Sequence, residues 1–173
     1  RSRLVKARTA LANEMRGLWV EFGIVMPQGI AACRRRVAEI WEDAENGLPG
    51  MMREWLAQLS EELRQLDAHI AKLDQQIKQQ CQADERIKRV MQIDGLGPIS
   101  ASAIVAAIGD ARQFASGRDL SAWLGLVPKQ HSSGGKERLV SISKRGDTYL
   151  RTLLIHGARA VINACKNKVD RKS

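Results

Sequence analysis

Apolar residues in the first 84 positions recur at helical spacing, and they predict two amphipathic helices before residue 45. The first covers about residues 3–22, with one apolar face formed by Leu4, Leu11, Met15, Leu18 and Phe22. The second begins near Pro27 or Gly29 and ends near Ala44, with an inward face of Ile30, Cys33, Val37, Ile40 and Ala44. Asn46-Gly47 stops this helix, and Pro49 suits the first turn of the next one.

The third segment has the clearest pattern in the chain. Seven apolar residues alternate at spacings of three and four, as in the a and d positions of a coiled coil: Leu56, Leu59, Leu63, Leu66, Ile70, Leu73 and Ile77. A long helix packed within its own domain would explain this stripe. Pairing with a second protomer would explain it too, and the stripe is narrower than most core faces of globular proteins. We therefore expect a dimerising helix and a homo-oligomer, with internal packing as the alternative.

From residue 85 onwards the predicted helices are shorter. The pattern predicts helices over 87–93 and 99–108, two short ones over 110–114 and 120–124, and a final helix capped by Asp147 or Thr148. Residues 125–146 are predicted to form a loop, with a candidate strand at 138–142 that allows one hairpin. The predicted fold class is mostly α, with a helical, coiled-coil region at 1–84 and a compact basic helical domain at 85–173.

The positive charge is concentrated in the second half of the chain. Residues 1–85 hold 12 Lys and Arg against 13 Asp and Glu, whereas residues 86–173 hold 16 against 6. The second half therefore carries a charge of +10, more than the +9 of the whole chain. Such a density indicates a polyanionic partner, since phosphate contacts supply most non-specific affinity for nucleic acid. We expect the partner to be DNA.

The cysteines and histidines argue against a metal or disulfide framework. Cys33, Cys81 and Cys165 form no CxxC pair, and the three histidines have no zinc-ligand spacing, so we expect no metal site. No run of eighteen apolar residues occurs, which argues against a membrane span. These features favour a reduced cytoplasmic location, associated with the nucleoid if the partner is DNA.

Residues 93–103 resemble a helix-hairpin-helix, in which a Gly-containing turn joins two short helices. Gly95 and Gly97 would let the turn backbone approach a phosphate, and the following helix would offer unpaired N–H groups at its N-terminus. A motif of this kind contacts the sugar-phosphate backbone and reads no bases. A plain tight turn between helices is the alternative.

A Ser-Gly segment lies between two groups of basic residues. Its composition favours a flexible turn on a basic surface, but Ser132 or Ser133 could instead act as a nucleophile on a DNA phosphodiester. A serine attack needs cations that stabilise the phosphorane, and the candidates are Lys136, Arg138, Lys144, Arg145 and Arg151.

Several short motifs occur together in this half of the chain: Gly-Leu-Val-Pro at 125–128, Ser-Gly at 133–134, Ile-Ser-Lys-Arg-Gly at 142–146 and Leu-Arg at 150–151. With Gly-Leu-Gly-Pro at 95–98, Ile-Gly-Asp at 108–110 and Asn-Glu-Met-Arg-Gly-Leu at 13–18, they resemble the Piv-like, DEDD-type insertion-sequence transposases. The resemblance covers nearly the whole chain and is specific only in combination.

This resemblance implies a two-part enzyme guided by a structured RNA. A RuvC-like nuclease domain holds Mg²⁺ with four acidic residues, and a C-terminal domain supplies a serine that bonds covalently to DNA. Ser133 matches that serine, with Ser132 as a neighbour that stays open. The acidic tetrad has no counterpart in residues 1–173, so we expect a C-terminal part that binds DNA, needs no cofactor of its own and is inactive alone. The alternative is a non-catalytic helix-hairpin-helix module with a dimerising coiled coil.

Overall fold

The computed structural model describes residues 1–43, 47–130 and 139–169, and it divides the chain into two compact units. The first unit covers residues 1–76 and the second covers residues 77–173. The division falls within one long helix. Most described residues are helical in both units, which confirms the predicted mostly α class.

The first unit is built from three helices whose apolar faces form one core. They are α1 (Ser2–Val20), α2 (Ile30–Glu42) and α3 (Gly50–Ala83), of which α3 continues into the second unit. Their bounds agree with the predicted periodicity to within a few residues. Buried side chains at the centre of the core include Met15 and Trp19 of α1, Cys33 of α2 and Leu56 of α3.

The heptad stripe of α3 packs mainly inside its own chain. Leu56, Leu59, Leu63 and Ile70 are each less than a tenth exposed, and Leu66 packs against the same core of α1 and α2. Leu73 is half-buried, and Ile77 packs against a small cluster in the second unit. The prediction that these residues form a seam with a second protomer does not fit this burial, because α1 and α2 already occupy the apolar face.

Ion pairs join the same three helices near the polar edge of the core. Asp67 of α3 binds Arg8 of α1 at 2.9 Å, and it also pairs with Arg34 of α2. Arg1 pairs with Asp74 further along α3. The Asp67 side chain is about one-fifth exposed, which reduces solvent screening of these pairs relative to a free surface position. They fix the register of α3 against both neighbours.

The second unit contains four further helices among the residues described. In chain order they are α4 (Glu85–Met91), α5 (Pro98–Ile108) and α6 (Gly117–Trp123), then α7 (Thr148–Val169), with a single 3-10 turn at Ala111–Gln113. Two short antiparallel strands lie between α6 and α7, β1 (Pro128–Gln130) and β2 (Leu139–Ile142). Thr148 as the start of the last helix agrees with the predicted cap.

The turn between α4 and α5 lies against α7 with almost no space between the two backbones. A Cβ built on Gly157 of α7 would be 2.3 Å from the carbonyl oxygen of Gly95, and a Cβ on Gly95 would be 2.6 Å from the carbonyl oxygen of Gly157. Gly95 also has a φ of 86°, which disfavours any other residue there. Two glycines therefore set the distance between the turn and α7.

Candidate nucleic-acid interface

The two strands form a ribbon that carries the Ser-Gly segment between its ends. Pro128 pairs with Ile142 and Gln130 with Leu139, with an irregularity between the two pairs. Two more backbone bonds extend the pairing, from the Ser143 amide to Val127 at 2.8 Å and from the Lys144 amide to Gly125 at 3.0 Å. Ser132, Ser133, Lys136 and Arg138 lie outside the described residues.

Arg151 anchors the base of this ribbon from inside the protein. It is 7% exposed. Its Nη1 donates at 3.1 Å to the carbonyl oxygens of both Leu124 and Gly146, and its Nη2 donates to the Thr148 hydroxyl at 3.2 Å. The prediction that Arg151 contacts phosphate does not fit this burial, because its guanidinium points at main-chain carbonyls.

The two glycines of the ribbon motifs are needed for the same close packing. A Cβ on Gly146 would be 2.1 Å from the carbonyl oxygen of Trp123, and one on Gly125 would be 2.7 Å from the Arg145 amide nitrogen. Gly125 also has a positive φ, of 69°. Gly-Leu-Val-Pro, Lys-Arg-Gly and Leu-Arg are separate in sequence, yet they meet at the base of the ribbon.

Lys144 has an unusual backbone conformation for its residue type. Its φ is 57°, and no other non-glycine residue in the described part of the chain has a positive φ. A left-handed conformation costs a residue with a Cβ roughly 1–2 kcal/mol. Strained positions of this kind concentrate at functional sites. The backbone holds the lysine at the end of the ribbon, with its side chain exposed.

Three basic side chains are exposed on the described part of the ribbon. They are Lys129 of β1, Lys144 and Arg145, and no ion pair joins any of them to another described residue. The sequence analysis missed Lys129, because a three-residue strand beginning with proline gives too short a pattern to recognise. Its position opposite β2 could be found only from the pairing.

The two glycines of the α4–α5 turn differ in the space around them. Gly97 is exposed, a Cβ added there would meet no atom within 4 Å, and the residue precedes α5 without a side-chain cap. Since Pro98 has no N–H, Ile99 and Ser100 carry the amides that helix geometry leaves without an intrahelical acceptor. Gly95 instead packs against α7. Of the two predicted phosphate contacts, only Gly97 is open on all sides.

Two Asp-x-Arg units flank this turn and neutralise part of the local charge. Asp84 caps α4 and binds Arg86 at 2.7 Å, and the Arg86 side chain lowers the pKa of Asp84 to about 2. Asp110 and Arg112 repeat the arrangement at the 3-10 turn, where Arg112 also lowers the pKa of Asp110. Lys88 pairs with Glu85. The positive charge beside the turn is therefore smaller than the sequence suggests.

The described residues do not offer a site for Mg²⁺. Within residues 1–43, 47–130 and 139–169, no group of three or more His, Cys, Asp or Glu side chains could hold a metal ion. In those same ranges, no helix is both long and apolar enough to cross a membrane.

Comparison with known proteins agrees with these motifs. The profile of the "Transposase IS116/IS110/IS902 family" matches residues 87–172. A Pseudomonas aeruginosa protein named "Probable family 20 transposase" is 55% identical over 174 residues, covering 100% of this chain and 52% of its own length. The "Transposase for insertion sequence element IS1111A" of Coxiella burnetii is 46% identical over 173 residues, covering 100% of this chain and 48% of its own. The IS1328 transposase of Yersinia enterocolitica is 40% identical over 159 residues, covering 92% and 47%.

These matches define a protein of DNA transposition. The chain belongs to the IS116/IS110/IS902 family of transposases. It spans about half the length of the curated relatives it matches.

Proposed function

We propose that this chain is the DNA-binding and strand-exchange part of a transposase. The observation that carries the proposal is the ribbon, where exposed Lys129, Lys144 and Arg145 surround a base that buried Arg151 fixes. Such cations bind phosphate through charge-assisted hydrogen bonds, and a fixed base keeps them in place at no further entropic cost. The family match supports a DNA partner.

Ser133 is the nucleophile in this proposal, with Ser132 as its neighbour. The Ser133 oxygen attacks a DNA phosphorus and forms an oxygen–phosphorus bond, while the bond from phosphorus to one deoxyribose oxygen breaks. The hydroxyl proton passes to that leaving oxygen, which departs as a sugar hydroxyl. Lys136, Arg138, Lys144 and Arg145 stabilise the negative charge of the transition state.

The remaining parts of the machinery are proposed on the family resemblance. The carboxylates that hold Mg²⁺ belong to a nuclease domain outside residues 1–173, since the described residues contain no suitable cluster. No step of the serine reaction is therefore assigned to a metal on this chain. A structured guide RNA and a second copy of the protein complete the assembly. The copies would meet through a surface other than the buried part of the α3 stripe.

The binding part of the proposal is tested by the salt dependence of DNA affinity. The chain should bind a duplex with a clearly negative slope of log affinity against log salt concentration, because bound cations displace condensed counterions. Lys144→Gln with Arg145→Gln should flatten that slope by about 2. Arg35→Gln with Lys72→Gln, which removes two exposed cations from the first unit, should leave it unchanged. An undetectable or salt-independent affinity would contradict the proposal.

The serine step requires a protein that also contains the nuclease domain. On a denaturing gel with labelled DNA, that protein should give a protein-sized shift, and Ser133→Ala should abolish it while DNA binding remains. Ser132→Ala should keep the adduct. An adduct that survives both substitutions together would exclude the serine mechanism. That result would favour the non-catalytic binding module, for which the exposed Gly97 turn is the supporting feature.

A further inference from the structure

The solvent face of α7 carries a continuous row of polar side chains. Five exposed residues recur at spacings of four and three along the helix: Thr152, His156, Arg159, Asn163 and Lys166. At about 100° per residue these positions fall on one face of the helix. From Thr152 to Lys166 the row extends over about 21 Å, at 1.5 Å per residue.

This row lies opposite the face that packs α7 into the second unit. Leu150 is buried, Gly157 meets Gly95, and the Val161 side chain is 3.0 Å from a Cβ position on Gly95. Because these three residues mark the inward side of α7, the polar row points away from the core. Its side chains make no contribution to the packing of the fold.

The charge of the row differs from that of an ordinary solvated helix face. The exposed positions of α3 mix the two signs, with Glu61 bound to Arg64 at 2.7 Å and Glu62 near Lys72 in sequence. Helix α7 contains no Asp or Glu from Thr148 to Val169. Solubility alone requires charge and not a single sign, so the uniform sign needs another explanation.

We propose that the Thr152–Lys166 row binds the phosphate backbone of a DNA duplex. This inference rests on the proposed function, and it adds a second contact surface to the ribbon. Arg159 and Lys166 donate to phosphate oxygens, and Thr152, His156 and Asn163 supply neutral donors between them. A row of about 21 Å covers roughly six base-pair steps of 3.4 Å. The contact is independent of base sequence, because every donor in the row addresses the backbone.

The experiment measures duplex affinity of the 173-residue chain against salt for two unrelated 30-base-pair sequences. Arg159→Gln with Lys166→Gln should weaken affinity roughly tenfold for each contact at 0.1 M salt, and flatten the slope by about 2, equally for both sequences. Arg35→Gln with Lys72→Gln, which removes the same charge from the first unit, should change neither quantity. Glutamine preserves helix propensity, and circular dichroism verifies that α7 remains folded.

A second pair of variants keeps the test independent of that substitution. Asn163→Glu places a carboxylate in the middle of the row and should weaken binding, whereas Gln58→Glu on the exposed side of α3 should not. Arg159→Lys with Lys166→Arg keeps both charges and should retain the slope. If the chain binds DNA and the row variants match the wild-type slope, the row is overturned while the ribbon proposal stands. If the chain itself does not bind, the proposed function fails first.

Discussion

Gly95 and Gly157 meet backbone to backbone, with the Gly95 carbonyl oxygen 2.3 Å from the position that a Cβ on Gly157 would take. The contact joins the α4–α5 turn to the middle of α7. It brings into one unit two elements that belong to different sequence motifs. The glycine of the hairpin motif therefore has a packing reason that is separate from any ligand.

Gly157→Ala should destabilise the second unit without removing any charge. An added methyl group must displace main-chain atoms of the turn, which costs about 1–3 kcal/mol in a packed site. Gly97→Ala is the matched control, because its φ of −80° suits alanine and no atom lies within 4 Å of the added methyl group. Urea unfolding should show a lower midpoint for Gly157→Ala only. Equal midpoints would mean that the turn moves freely away from α7.

Leu63→Asp should unfold the first unit and not merely separate oligomers. Leu63 is 2% exposed in the core of α1, α2 and α3, so a carboxylate there loses apolar contacts and hydration, at a cost of about 3 kcal/mol or more. Leu73→Asp, at a half-buried position on the same helix, should be milder. Circular dichroism and sedimentation on the same samples separate the outcomes. A folded Leu63→Asp monomer derived from a wild-type dimer would restore the coiled-coil seam.

Arg151→Met should reduce stability, whereas Arg145→Met should reduce DNA affinity. Methionine at 151 leaves the carbonyls of Leu124 and Gly146 without their donor, at about 1–3 kcal/mol for a buried unsatisfied group. Arg145 is exposed, so its loss removes a phosphate contact and little else. Thermal unfolding and salt-dependent binding measured on both variants give the two signatures. Equal stability of the two variants would return Arg151 to the set of surface cations.

Arg86→Gln should raise the pKa of Asp84 from about 2 towards its ordinary value of 3.8. The Arg86 side chain is the largest cause of the lowered pKa, and the backbone amides of Arg86 and Ile87 add smaller effects. A carboxyl whose pKa is lowered on folding stabilises the protein above its ordinary pKa, and this contribution is lost as pH falls from about 4 towards 2. A carbon-13 NMR titration of Asp84 measures the change. Arg112→Gln should shift Asp110 and leave Asp84 as it was.

Most helices of this fold could be predicted from sequence, because their signals are local. The apolar periodicity of α1 and α2, the Gly109 end of α5 and the Thr148 start of α7 all depend on residues within a few positions. The heptad spacing of α3 also predicted the right helix. It predicted the wrong partner, since spacing defines an apolar face but not which helix covers it.

The candidate site was harder to predict, because its determinants are burial and pairing between distant segments. The sequence shows that Arg151 is charged but not that its guanidinium is enclosed by the carbonyls of Leu124 and Gly146. Similarly, Lys129 becomes part of the ribbon only when β1 pairs with β2. The motif resemblance correctly grouped these segments, although it assigned them by chemistry and not by position.

The left-handed lysine at the end of the ribbon has a consequence for engineering. Glycine or asparagine adopts a φ near 57° more readily than lysine does, so selection for heat resistance alone would favour replacing Lys144. The same replacement would remove a cation from the DNA surface. Thermostability and DNA affinity therefore pull this position in opposite directions, and laboratory evolution towards a robust recombination tool would have to select for both at once.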